Sequence, residues 1–171
     1  SSTLTRTNFI GIILHCKAAG MAAASYAIAI AVVSFLLLAS LPFLTGGLLM
    51  LSTDVLYDTD LVSAGSSGGG DVLFWQHLLW IFGHPEVYVL IIPALAIITN
   101  AVNLALGTEV FGPLGMLGGI GCIAGLGLVV WAHHMYTVGM EADARAYFAA
   151  ATYTIAIPSG LKVMHWLTSL V

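Results

Sequence analysis

The sequence predicts an all-α membrane protein with four transmembrane helices, and two observations lead to this prediction. The first is composition: the 171 residues are 60% hydrophobic and only 7% charged, with a mean hydropathy of +1.03. A soluble globular chain carries roughly a quarter charged residues. The second is length: four stretches reach the roughly 20 mostly apolar residues that a helix needs to cross a bilayer. Together they exclude a soluble globular domain.

The predicted elements follow one another as alternating spans and short polar connections. In chain order they are an approach segment at the membrane interface (1–20), a span (21–51), an acidic loop rich in glycine and serine (52–71), a span (72–102), a turn (103–112), a span (113–132), a loop (133–143) and a span (144–171).

Local sequence signals justify these boundaries. The first span ends where Ser52, Thr53 and Asp54 follow the apolar run. The third span contains GMLGGIGCIAGLG, in which glycines recur at four-residue spacing. Small residues one turn apart let helix backbones approach closely, so we expect this span to pack tightly against neighbours.

Charge and cysteine usage exclude two further classes of protein. The net charge of −4 comes without any cluster of Lys and Arg, which excludes a nucleic-acid-binding protein. Cys16 and Cys122 are far apart and match no metal-binding spacing. We therefore predict neither a disulfide nor a cysteine-ligated metal.

The stretch FGHPEVYVL places ionisable side chains deep in the second span. His84 lies roughly 16–18 Å along this span from the acidic loop, with Glu86 and Tyr88 beyond it. Ionisable residues at such depth usually face a bundle interior or a water-filled cavity. His84 and Tyr88, four residues apart, share one helix face, whereas Glu86 points about 200° around from His84. Pro85 cannot donate a backbone hydrogen bond, which loosens the helix there.

A second cluster, WAHHMYTVG, follows the third span and contains the adjacent pair His133 and His134. Adjacent residues on a helix diverge by about 100°, so both can face one ion only where the helix ends or bends. Imidazole suits copper, zinc and iron, and His84 would complete a three-histidine site with an open position. Spacing alone leaves this metal site and ordinary hydrogen-bonded histidines equally open. The remaining histidines are predicted to be structural or surface residues: His15, His77 and His165.

The fourth span places Lys162 inside an apolar run, just after Pro158 and Ser159. Pro158 frees the carbonyl of Thr154 and leaves a polar spot in the helix wall. One interpretation is that the lysine side chain snorkels to the nearer interface. The other is a proton-conducting step, which Thr152, Thr154 and Ser159 would extend along the helix.

Three stretches resemble subunit I of the haem–copper oxidases of the mitochondrial type: WQHLLWIFGHPEVYVLIIP, VVWAHHMYTVGMEADARAYFAAAT and IAIPSGLKVMHWL. The resemblance runs from about Arg6 to the end of the chain. It implies that the four spans are part of a twelve-helix bundle. It also implies the reaction of complex IV of the respiratory chain, in which O2 is reduced to water and protons are pumped across the mitochondrial inner membrane.

The resemblance assigns the copper ligands of the oxygen-reducing centre. His84, His133 and His134 would bind the copper ion. Tyr88 would be covalently joined to His84 and would supply an electron and a proton when the O–O bond breaks. Trp80 and Trp131 would pack around the cofactors of this site.

The resemblance also assigns proton delivery to three side chains. Glu86 would pass protons at the inner end of one uptake route. Lys162 would carry protons along a second route toward Tyr88, with Ser159 where the family usually has threonine.

The departures from the family pattern define what other chains must supply. None of the other histidines matches those that hold the haem irons in this family. This chain would therefore contact haem a and haem a3 without ligating their iron. The acidic loop is long and has Asp54–Val55 where the family usually has Asp-Arg. The implied partners are the remaining fragments of subunit I, subunits II and III, cytochrome c as electron donor, and the lipid membrane. We expect a subunit naturally made in pieces rather than a truncated sequence.

Three alternatives remain open. A nitric oxide reductase-like enzyme is a relative, although Tyr88 beside His84 opposes it. A proton or solute transporter on four spans would suit Glu86 and Lys162 but predicts no copper. A non-catalytic scaffold of a respiratory complex predicts that replacing His133 leaves respiration intact.

Overall fold

The computed structural model describes residues 2–16, 25–63 and 69–171, and in these ranges the chain is helical and contains no strand. A short 3₁₀ helix, Trp131–Met135, lies between the fourth and fifth α-helices. The six α-helices are α1 (Ser2–His15), α2 (Ser25–Tyr57), α3 (Val72–Leu106), α4 (Pro113–Gly127), α5 (Ala142–Thr154) and α6 (Ala156–Leu170). The all-α fold class predicted from composition and hydropathy is confirmed.

Helices α2 and α3 pack along each other and share the most extensive contact between any two helices described. With 33 and 35 residues, both are long and apolar enough to cross a membrane. Near the acidic loop, Trp75 Nε1 donates a hydrogen bond of 3.3 Å to the carbonyl of Gly47. Toward their opposite ends, Ala29 packs with Ile92 and Ala96 in the main core. The two helices are therefore antiparallel.

Both long helices extend past the predicted span ends, and local capping explains the length of α3. Asp71 accepts hydrogen bonds from the backbone N–H groups of Leu73 (2.8 Å) and Phe74 (3.2 Å), which fixes the first turn. Gly107 ends the helix with φ of 69°, a left-handed conformation that suits glycine. Between these caps the helix continues through Pro85 without a break.

The third and fourth predicted spans have a different form in the structure. Helix α4 has 15 residues and ends at Gly127, well before residue 132. That length rises only about 22 Å, less than the roughly 30 Å hydrocarbon core. The predicted span 144–171 is divided between α5 and α6 at Ile155. The division lies where Pro158 has no N–H to give to the carbonyl of Thr154, as expected for a proline inside a helix.

The predicted approach segment 1–20 is largely helical where it is described. Helix α1 packs against α2, and Thr3 lines a surface cavity together with Leu38 and Leu41 from the middle of α2. Its beginning therefore lies beside the middle of a long apolar helix, and its place relative to a membrane interface stays a prediction. Residues 17–24, which include the end of this segment and the start of the predicted first span, lie outside the described residues.

Two apolar clusters hold the helices in place. The larger cluster joins α2, α3 and α4 through residues that include Val33, Ile92 and Ile123. The smaller cluster packs Ala132 and Met135 of the 3₁₀ helix against Phe148 of α5. This second cluster fixes the 3₁₀ helix, and with it His133 and His134, against the rest of the chain.

The glycines of α4 pack against α6 on one face only. A Cβ atom at Gly115 or Gly119 would lie against side chains of α6, whereas one at Gly121 or Gly125 would meet nothing within 4 Å. The close helix packing expected for the third span is thus present at the first glycine pair. We call this contact between α4 and α6 the α4–α6 seam.

Candidate metal centre

The three predicted metal-binding histidines converge on one point. His84, His133 and His134 each offer a ring nitrogen, and these three atoms lie within 4.8 Å of one another. His84 Nδ1 is 3.1 Å from His134 Nε2. The rings of His84 and His133 meet edge to face, with centroids 4.5 Å apart. A long helix and a short turn 50 residues away along the chain thus build one cluster.

The buried state of His84 fits a metal ion. Its side chain is only 3% exposed, and its Nε2 atom is buried without a hydrogen-bond partner in the described part of the chain. Leaving a buried polar atom unsatisfied is costly, so this atom calls for a partner from outside the described part of the chain. Three imidazoles with one orphaned nitrogen are a donor set that suits copper, zinc or iron.

The 3₁₀ helix alone does not bring two adjacent histidines to one site, because it places neighbouring residues about 120° apart around its axis. Contacts of the individual side chains orient the two rings, whose centroids lie 4.3 Å apart. His134 is held by Trp80, whose ring stacks on the imidazole at a centroid distance of 4.1 Å and an angle of 12°. Trp80 precedes His84 by one turn of α3, so the same helix provides one ligand and supports another.

His133 is oriented by a residue that sequence reasoning did not assign to the metal. Its Nδ1 lies 3.1 Å from Thr152 Oγ1, and that hydroxyl donates to the carbonyl of Phe148 at 2.6 Å. Because the hydroxyl proton is used in this second bond, Thr152 Oγ1 accepts from Nδ1–H. The tautomer this selects leaves the lone pair of His133 Nε2 free for a metal. Only the contact between α5 and the 3₁₀ helix reveals this role.

Trp131 lies on the outer side of the cluster. Its Nε1 donates a hydrogen bond of 3.2 Å to His77 Nδ1, and its ring meets Phe148 at a centroid distance of 5.1 Å. The bond to His77 joins the start of α3 to the 3₁₀ helix. The structure thus gives His77 a packing role and makes Trp131 a second anchor of the turn.

Tyr88 lies against His84, as their four-residue spacing predicts. The two ring centroids are 4.5 Å apart and the rings are nearly perpendicular, at 76°. The other side of the phenol ring faces Gly127, where an added Cβ would lie 2.7 Å from Tyr88 Cδ2. The last residue of α4 therefore has to be glycine for the ring to stay in place.

The predicted proton-delivery residues are not brought together. Lys162 is 1% exposed, and its Nζ donates to the carbonyl of Met116 in α4 at 3.3 Å. The snorkelling interpretation is therefore wrong in this structure, because the amine turns into the α4–α6 seam. Ser159, by contrast, is exposed. Glu86 is also exposed and lies on the face of α3 away from the cluster.

Comparison with known proteins agrees with this geometry. The family described as cytochrome c and quinol oxidase polypeptide I matches residues 1–171. The cytochrome c oxidase subunit 1 of Plasmodium chabaudi is 42% identical over 170 residues, covering 98% of this chain and 35% of that protein. The subunit 1 of Mytilus edulis is 45% identical over 152 residues, covering 88% of this chain and 27% of that protein.

A fungal relative gives the same result. The cytochrome c oxidase subunit 1 of Candida albicans is 42% identical over 173 residues, covering 99% of this chain and 32% of that protein. The chain thus spans about a third of the length of these relatives. By this family match and these relatives, the chain belongs to the cytochrome c and quinol oxidase polypeptide I family.

Proposed function

We propose that this chain supplies the copper-binding part of the oxygen-reducing centre of a cytochrome c oxidase, in which O2 is reduced to water and protons are pumped. The observation that carries the proposal is the cluster of His84, His133 and His134, whose ring nitrogens lie within 4.8 Å of one another. Family membership supports the oxidase class, and the donor set supports copper within it.

The three histidines would hold the copper ion, which when bound supplies a redox-active centre with an open coordination position. Thr152 keeps His133 in the tautomer with a free Nε2. Trp80 stacks on His134 and fixes the plane of its ring. Trp131 anchors the turn that carries both ligands. These contacts preset the ligand geometry before the ion arrives.

Tyr88 would act as a proton donor beside the copper ligands. Its phenol ring touches the imidazole of His84, so its Oη can release a proton at the edge of the metal cluster. We also propose a covalent bond between the two rings, formed when an imidazole N–H and a phenol ring C–H are lost as two protons and two electrons. O2, the substrate of the proposed oxidase, would accept these electrons. The contact between the rings and the glycine behind Tyr88 support this bond.

Lys162 and Glu86 would deliver protons by two separate routes. The amine of Lys162 lies buried between α4 and α6, where it can receive and release protons away from lipid. Glu86 lies on the outer face of α3, so its route would be completed by other parts of subunit I. Ser159 would assist at the exposed edge of the Lys162 route.

The rest of the enzyme would come from partners. Haem a and haem a3 would be ligated by the remaining fragments of subunit I and contacted by this chain. Subunits II and III would complete the complex, cytochrome c would donate electrons, and the assembly would lie in the mitochondrial inner membrane. Helices α2 and α3, long and apolar enough to cross a membrane, support the membrane location.

Peptide mass spectrometry of the chain from its native membrane complex tests this proposal. We expect the peptide containing His84 and Tyr88 to be two hydrogens lighter than its sequence requires, with copper present in the complex. A Tyr88→Phe variant is the control, because it keeps the ring and removes the phenol oxygen that makes the link chemistry possible. That variant should show the unmodified mass.

Each other outcome decides against part of the proposal. Copper without the mass deficit would retain the metal site and refute the bond between His84 and Tyr88. An unmodified peptide without copper would refute the oxidase role. In that case a proton transporter, or a scaffold whose His133 can be replaced without loss of respiration, would explain the chain better.

A further inference from the structure

His165 occupies the α4–α6 seam, where the imidazole meets two glycines of α4. A Cβ atom added at Gly115 would lie 2.6 Å from His165 Cε1, and one at Gly112 would lie 3.0 Å away. The Phe111 ring meets the imidazole edge to face at 5.8 Å. The ring is therefore enclosed by the start of α4, and glycine is required at these positions to admit it.

The ring lies beside Lys162 on the same side of α6. The two residues are three positions apart, a spacing that brings Cβ atoms to about 5–6 Å on a helix. Both side chains face α4: Lys162 packs against Gly119 and donates to the carbonyl of Met116. His165 packs one turn nearer the start of α4, against Gly115.

Burial increases in steps from the α3–α4 connection to the lysine. Glu109 in that connection is exposed, His165 is half-buried, and Lys162 is 1% exposed. In the described part of the chain, His165 Nδ1 is buried and has no hydrogen-bond partner. The backbone carbonyl of His165 and the N–H of Phe111 are joined through Ser169 Oγ, so the ring nitrogens take no part in that contact.

We propose that His165 is a proton carrier between the aqueous end of the α4–α6 seam and Lys162. The proposal rests on the proton-delivery role of Lys162 proposed above. The neutral imidazole, with its proton on the buried Nδ1, takes one proton at Nε2 from water at the α3–α4 connection. The resulting imidazolium passes the Nδ1 proton, through a bridging water, to the neutral amine of Lys162 and returns to its neutral form. No electron is transferred.

The charged surroundings of the ring are few. Helix α4 contains no ionisable side chain except that of Cys122, and the part of α3 beyond Tyr88 contains none. Among the described residues, α6 offers Lys162 and the α3–α4 connection offers Glu109 as further ionisable side chains. Helix α5 also packs against α6 and carries ionisable residues of its own: Asp143, Arg145, Tyr147 and Tyr153.

Proton uptake by the assembled complex after reduction of its metal centres tests the proposal, with a pH-indicating dye as the readout. We expect His165→Gln to slow this uptake about tenfold, a loss at the lower end of what a positioned proton-transfer group contributes. His15→Gln is the matched control, because His15 is exposed on α1, and it should leave uptake unchanged. Unchanged uptake in His165→Gln would overturn the proposal.

Chemical rescue separates a proton carrier from a packing residue. In His165→Gly, added imidazole should restore uptake, whereas pyrrole, a ring of the same size without a basic nitrogen, should not. Equal rescue by both compounds, or by neither, would show a packing role and overturn the proposal. Lys162→Met is measured in parallel: if it leaves uptake unchanged, the proposed function of Lys162 fails. If only Lys162→Met slows uptake, the inference about His165 fails alone.

Discussion

Lys162 and Glu86 are two charged residues inside apolar helices, and the structure gives them opposite settings. Lys162 is 1% exposed and bonded to the carbonyl of Met116, so its polar surroundings come from this chain. Glu86 is exposed on the outer face of α3. A charged group facing lipid is costly. The difference shows that this chain supplies polar surroundings for Lys162 and none for Glu86 among its described residues, so the proposed role of Glu86 requires a partner that covers it.

The largest expected effect is on turnover. We expect Lys162→Met to lower O2 consumption by the assembled complex about 100-fold, because it removes a proton-transfer group that no nearby side chain replaces. Glu86→Gln is the matched variant and should also lower turnover. Oxygen-electrode measurements on purified complexes check both. Normal turnover in Lys162→Met would show that the buried amine serves packing alone.

An intermediate effect is expected at the histidine cluster, in which His84 is buried, His133 is half-buried and His134 is exposed. Thr152→Val removes the acceptor for His133 Nδ1–H. Loss of such an orienting hydrogen bond typically weakens metal binding 10–100-fold. Copper retained during graded chelation of the complex is the measurement. Thr154→Val is the control, since the Thr154 hydroxyl bonds only the carbonyl of Ala150 in its own helix. Equal copper loss in both variants would contradict the role of Thr152.

The smallest expected effect is on stability. It is measured by comparing substitutions at two adjacent glycines. A Cβ at Gly119 would lie 3.3 Å from Lys162 Cγ, whereas one at Gly118 would meet nothing within 4 Å. Gly119→Val should therefore lower the free energy of unfolding by roughly 1–3 kcal/mol more than Gly118→Val does, which is typical of overpacking. Thermal unfolding of the complex measures the difference. Equal losses would mean that Lys162 is not confined by α4.

Much of the site could be predicted from the sequence because it depends on local spacing. His84 and Tyr88 share a face through their four-residue spacing, and the ring contact follows directly. The adjacent histidines indicated a helix end, and the 3₁₀ helix provides one. That these elements meet could be expected only from the family resemblance, because spacing along the chain does not determine which helices touch.

The remainder depended on packing between distant segments. Thr152 orients His133 from 19 residues away, and His165 meets glycines at the start of α4 about 50 residues before it. No periodic pattern encodes such contacts. The extent of the helices also differs from the prediction: hydropathy continues across Ile155 and beyond Gly127, while the regular α-helical bonds give way there to bonds between residues three apart. Apolar composition predicts residence in the membrane better than it predicts where a helix ends.

The stack of Trp80 on His134 affects how fast the imidazole can reorient as well as where it lies. An imidazole lying 4.1 Å from an indole and nearly parallel to it is blocked on that face when it turns about its Cβ–Cγ bond. Trp80 therefore restricts how fast His134 reorients toward α3, while the exposed side of the imidazole stays free to move. An ion held by His134 would share this one-sided restriction.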